Sequence, residues 1–128
     1  MSERSALRNL GAAGAISAFL AVALGAFGAH GLRDRLTTDM LEVYKTGVTY
    51  QMYHALGILL LAGMMERRPH AIGLQRAGWL FIAGTVLFSG SLYALAISGV
   101  KILGAITPLG GLCFLIGWIL AAVSILKD

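Results

Sequence analysis

Charge is what this sequence has least of. Only 12% of its 128 residues are Asp, Glu, Lys or Arg, while 58% are hydrophobic; an ordinary soluble domain carries roughly 25% charged residues. A chain in water must cover its surface with polar groups, and too few exist here unless lipid covers the rest. That balance argues against a soluble enzyme. Cysteine is represented once, by Cys113, so no disulfide framework can close within one chain, and this residue reads as a small core side chain. Proline occurs twice, as Pro69 and Pro108, and interrupts little. The chain has no Gly-Lys-Ser/Thr phosphate loop, no His-Glu-x-x-His, no cysteine pair and no Ser nucleophile in a strand-turn-helix setting. No catalytic residue, metal site or cofactor is expected from it.

What is there is apolar sequence in long uncharged runs: residues 9–32, 46–65, 77–100 and 102–126. Each reaches the roughly 20 residues needed to cross about 30 Å of hydrocarbon as a helix, the form that bonds every backbone group within its own segment. Barrel strands would alternate polar and apolar residues, whereas Leu59 to Met65 and Ile119 to Leu126 are almost continuously apolar or small. The expected fold is therefore an all-α integral membrane protein: one domain, residues 1–128, built as an antiparallel bundle of four transmembrane helices. Arg4 and Arg8 before the first run resemble the start of a signal peptide, and Ala26-Phe27-Gly28 a loose cleavage site. The run exceeds a typical signal core, and a retained span is expected.

The net charge of +4 raises the question of nucleic acid, but the ten cations sit in tails and loops rather than in a phosphate-tracking patch. They read as topology signals. With the N-terminus inside, Arg4, Arg8, Arg67, Arg68, Arg76 and Lys127 face the cytoplasm, against Arg33, Arg35, Lys45 and Lys101 outside. An N-in, C-in protein of the bacterial inner membrane is expected.

The joints are short. After Gly31, read as a left-handed helix stop, Thr37 or Asp39 can cap a new helix, Asp39 with Glu42 as reciprocal partner. A short amphipathic segment is expected to bend into the second helix or run on into it. Glu66 to Arg76, with Pro69, reads as a turn, and Lys101 alone separates the third and fourth spans, which predicts a tight hairpin. In the first span Ala13, Ser17, Ala21, Gly25 and Ala29 recur every four residues, a stripe of small side chains suited to close helix packing. Shorter versions occur at Gly90, Ala94, Ser98 and at Cys113, Gly117, Ala121. Such stripes serve packing within the bundle, or contact with a second copy or a larger complex.

Polar side chains within the spans concentrate in one half. Gln51, His54, Tyr93, Ser89, Ser91 and Thr107 all fall within about 16 Å of the end facing the first and third connections, at 1.5 Å per residue. Tyr50, Gln51 and His54 share a helix face, and Ser89 and Tyr93 lie one turn apart. A histidine in hydrocarbon needs a partner, so His54 is expected to face inward and bond to Gln51, Tyr93, Thr107 or a neighbouring span. It serves either as a register-fixing structural bond or in ligand, ion or proton handling. His30, in the last turn of the first span, reads as a dipole-favoured helix end. Tyr44, Tyr50, Tyr53, Trp79 and Trp118 are candidate interfacial anchors, Trp79 fitting best. Gly31 and Pro108 are expected to add flexibility or a kink beside this layer, since Pro108 removes one backbone bond and Gly104 leaves room to relieve it. The four runs hold no Asp, Glu, Lys or Arg, so the proton-coupling carboxylate of a small antiporter is missing.

At residues 25–32 (GAFGAHGL), 46–57 (TGVTYQMYHALG), 88–93 (FSGSLY) and 103–111 (LGAITPLGG), the chain resembles domain-of-unknown-function family 423. These are small bacterial inner-membrane proteins with a eukaryotic transmembrane relative, and the resemblance runs from about Leu7 to Leu126. It implies four spans and transfers no catalytic residue, the family having no assigned activity. Thr37-Thr38 stands where relatives are expected to open the interfacial helix with Ser-Pro, which leaves that helix start less sharply fixed. Three functional readings follow. The first is a non-enzymatic accessory or assembly component that engages itself or a larger complex, with membrane lipid as its solvent. The second is a small permease or channel for a neutral solute lined by Gln51, His54, Tyr93 and Thr107. The third is a binder of lipid, quinone or haem, for which His30 and His54 are the available imidazoles, at different depths.

Overall fold

The computed structural model describes residues 2–127. α1 (Glu3–Phe27) opens on Ser2, whose Oγ accepts the Ser5 N–H at 3.1 Å, and Glu3 sits in the first turn at the positive end of the helix dipole. The helix then widens into one π-helical turn, Gly28–Leu32. α2 (Thr38–Arg67) is capped by Thr37, whose Oγ1 accepts the Met40 N–H at 3.2 Å. Asp39 stays in the first turn, and no reciprocal box forms with Glu42, whose carboxylate lies 3.8 Å from Lys45 instead. The amphipathic segment is thus the opening of α2 itself, continuous with the second span. α3 (Ile72–Gly84), a second π turn (Thr85–Ser89) and α4 (Gly90–Ser98) form the third pass, and a 3₁₀ segment (Lys101–Ala105) leads into α5 (Thr107–Lys127).

The four helical passes are 30, 30, 27 and 27 residues long, about 40 to 45 Å at 1.5 Å per residue, which matches a bilayer with its headgroup layers. Their outer faces are apolar: Phe19, Leu60, Val86 and Leu115, one from each pass, are 70%, 67%, 65% and 64% exposed. Large side chains displayed so fully on every pass are matched to acyl chains, not water.

Two helix-end expectations need correction. Gly31 lies inside the π turn, and the one described residue with positive φ is Gly99, at 73°, whose N–H closes α4 on the Leu95 carbonyl at 2.8 Å. The tight hairpin needs a left-handed stop there. The first pass instead ends by widening, which carries Leu32 inward beside Tyr44 and Ala96. Pro108 does not kink a passing helix. It sits in the first turn of α5, where its missing N–H removes no intrahelical bond.

α2 is the hub, with 44% of its apolar window buried against 17% to 28% for the other passes. Seven of its ten buried residues, Tyr44, Gly47, Gln51, His54, Ile58, Leu61 and Met65, alternate steps of three and four, a 3.5-residue seam of the coiled-coil kind that Ala55, Gly57 and Ala62 flank. α1 lies along α2, α2 along α3 and α4, and α3 along α5, with a further contact between α1 and α3. The α2–α3 edge is shared by two helix triplets. One core cluster joins Leu10, Ile58, Leu74, Phe81 and Phe114.

The α1 face that packs follows the four-residue stripe only in part. Leu10, Gly14, Ala21 and Gly28 are buried, while Ala13, Ser17 and Gly25 are half-buried and Ala29 is exposed. Four residues turn a helix by about 400°, so a strict four-step stripe drifts about 40° per step and leaves the contact face before its end. Glycines serve the packing mainly as sockets for rings. A Cβ at Gly47 would stand 2.7 Å from Tyr93, one at Gly117 2.6 Å from Phe81, and one at Gly28 would collide with Tyr44. The absent side chain in each case is the space a ring from the next helix fills.

Candidate functional site

The polar residues concentrated in one half of the bundle resolve into three neighbouring groups, two of them along the α2 seam. In the first, Tyr93 on α4 donates its hydroxyl to Gln51 Oε1 at 2.6 Å, and Gln51 Nε2 donates to the Ser17 carbonyl of α1 at 2.9 Å. One amide side chain thereby ties three passes, using both its acceptor and its donor. Ser17 lends its backbone only; its own hydroxyl is buried without a partner. Beside this group Tyr44 donates to the Leu24 carbonyl at 2.5 Å, and its ring meets that of Tyr93 at 5.3 Å between centroids. Ser89, fully buried at the end of the second π turn, donates to the Gly47 carbonyl at 2.7 Å. That carbonyl lies within a long helix, so Ser89 adds a second donor to it across the helix interface.

The second group centres on His54, which is 4% exposed. Its Nδ1 lies 2.8 Å from the Tyr50 carbonyl and its Nε2 3.0 Å from the indole nitrogen of Trp118 on α5. A carbonyl can only accept and an indole N–H can only donate, so the two partners select the neutral tautomer with its proton on Nδ1. The imidazole lies flat on Phe114, 3.5 Å between centroids and 9° between planes, with Phe81 edge-on at 5.0 Å. Neither ring nitrogen has a lone pair or proton to spare.

The third group is Ser91 with Thr107, whose hydroxyls lie 2.5 Å apart and bridge α4 to the start of α5; Ser91 also donates to the Phe88 carbonyl at 2.9 Å. Among the residues predicted from sequence, the structure thus joins Gln51 to Tyr93 and Ser91 to Thr107. Ser89 and His54 lie on the same seam with partners of their own. Tyr50 contributes its backbone carbonyl, and its ring, 39% exposed, packs on Phe88 at 4.6 Å. His30 is exposed on the first π turn, apart from all three groups.

One residue and two backbone features escaped sequence reasoning. Trp118 read as a candidate interfacial anchor, yet it stands within α5 with its N–H committed to His54. The signal available was its unusual depth in an uncharged run, where an indole N–H requires an acceptor. The two π turns, which carry Gly28 and Ser89 into the interior, left no pattern in composition or spacing. Among the described residues no three His, Cys, Asp or Glu side chains come together to hold a metal.

A four-pass helical bundle with an apolar exterior and polar ties confined to helix contacts defines a multi-pass membrane protein. Residues 24–111 match the family described as a protein of unknown function (DUF423), and the chain belongs to it. It is 53% identical over 114 residues to the UPF0382 membrane protein YwdK of Bacillus subtilis, covering 89% of this chain and 93% of that one. A UPF0382 membrane protein of Staphylococcus epidermidis is 49% identical, covering 89% and 92%, and UPF0382 membrane protein SAB0533 of Staphylococcus aureus is 46% identical over the same shares. No solved structure matches the chain.

Proposed function

We propose that the protein is a non-enzymatic accessory or assembly component of the bacterial inner membrane, inserted with both termini inside. The observation that carries this reading is the closed bonding of the outer-half seam. Gln51, His54, Ser89, Tyr93 and the Ser91–Thr107 pair direct their hydrogen bonds to groups of the same chain. A permease would need these groups to face a hydrated path. Haem ligation would need the Nε2 lone pair that Trp118 occupies. The seam therefore fixes helix register and leaves the outer surface as the working part.

That surface includes Gly90, Ala94 and Ser98, which are exposed along the α4 pass, with nothing within 4 Å of a Cβ placed at Gly90. A helix from a second copy or from another membrane protein can approach closely there, where van der Waals contact drives association in lipid. The positive-inside excess of six cations to four supports the orientation.

Purification at native abundance in mild detergent, followed by mass spectrometry, tests the reading. A defined protein stoichiometry that is lost in Ala94→Ile is the expected result. A monodisperse monomer whose composition is unchanged by Ala94→Ile contradicts it.

A further inference from the structure

At the end of the bundle that carries both termini lies a cavity of about 660 Å³ between the α2–α3 turn and the last turns of α5. Three elements bring cations to it: Arg67 and Arg68 end α2, Arg76 stands in the second turn of α3, and Lys127 closes α5. Among the described residues no carboxylate lines it. At the rim the Glu3 carboxylate lies 3.4 Å from the lining His70. α3 also begins at this cavity without a side-chain cap, so the positive end of its dipole adds to the field. The inner wall is of another kind: Ile72, Leu120 and Val123 line it, at the level where the bundle surface becomes apolar.

We propose that this cavity binds the headgroup of an anionic phospholipid, with its phosphate among Arg67, Arg76 and Lys127 and the upper part of an acyl chain against Ile72, Leu120 and Val123. The charge asks for a phosphate, and guanidinium forks suit its oxygens in pairs. The apolar wall selects a phosphate that carries a chain, and the volume falls within the range of ligand pockets, about 300 to 1,000 Å³. Cations scattered around a helix end attract anionic lipid without stoichiometry. Cations from three elements around one cavity make a place for one molecule.

Native mass spectrometry of the full chain, titrated with phosphatidylglycerol and separately with phosphatidylcholine, tests this. One phosphatidylglycerol is expected to be retained saturably and at least ten-fold more tightly than phosphatidylcholine. Arg67→Gln with Arg76→Gln is expected to abolish that preference, while Lys101→Gln, at the opposite end, preserves it. Equal retention of the two lipids by the parent protein overturns the proposal, and this arm decides it even where the double variant does not fold. Loss of the preference in Lys101→Gln also overturns it. Inorganic phosphate displacing the lipid and raising the melting temperature as much as phosphatidylglycerol does would assign the cavity to a free anion and overturn the lipid assignment.

Discussion

Each of the polar side chains on the α2 seam does a job that its neighbours define. His54 holds α5 through Trp118 and stacks on Phe114. His54→Leu removes the acceptor and leaves the indole N–H of Trp118 without a partner in the middle of a membrane-spanning helix, so thermal unfolding in detergent should show a loss of about 1 to 2 kcal/mol. Trp118→Phe, which removes the donor instead, should cost less, because the imidazole keeps its bond to Tyr50. Parent-like stability of His54→Leu would contradict the structural role. Ser17 offers the converse. Its hydroxyl is buried and unpartnered, so Ser17→Ala should hold or raise stability by up to about 1 kcal/mol, because no hydrogen bond is lost and a desolvation cost disappears; a clear loss in the same melt would show a partner for that hydroxyl. At this scale the sequence was informative about which residues matter, since Gln51, His54 and Tyr93 are costly in hydrocarbon without partners. It left pairing open, offering Gln51, Tyr93, Thr107 or a neighbouring span to His54, because Trp118 and Tyr93, the cross-helix partners of His54 and Gln51, stand 64 and 42 positions away.

Between elements, the fit depends on where side chains are missing. Gly110 meets the backbone of Phe88 where α5 crosses the second π turn, so that even a methyl group has no room. Gly63, on the exposed side of α2, has nothing within 4 Å. Gly110→Ala is therefore expected to cost about 1 to 3 kcal/mol by forcing α5 away. Gly63→Ala should gain about 0.5 to 1 kcal/mol from helix propensity alone, and parallel melts of the two variants check the contrast. Similar effects at both sites would contradict the packing described. Sequence reading placed the four passes and the hairpin at Lys101 because charge and length decide those. It followed the α1 contact face only in part, with Ala21 buried and Ala29 exposed, because a four-residue repeat drifts around a 3.6-residue helix. It assigned Pro108 a kink because the start of α5 at Thr107 is set by tertiary contacts rather than by hydropathy.

On the scale of the whole molecule, a hub helix with a 3.5-residue seam, apolar side chains outward on every pass and polar ties between passes make a bundle that is closed to solvent along its seam. The four spans were legible from the uncharged runs, and the family from four sequence blocks in order; the closure was not, since an open and a closed seam can carry the same residues. Cysteine accessibility distinguishes them. In a Cys113→Ala background, a membrane-impermeant maleimide applied to intact cells should label Ser98→Cys, should reach Ser2→Cys only after permeabilisation, and should leave Ser89→Cys, which is 0% exposed in the parent, unlabelled from either side until denaturation. Labelling of Ser89→Cys in intact cells at a rate comparable to Ser98→Cys would mean a water-filled path through the seam and would contradict the account.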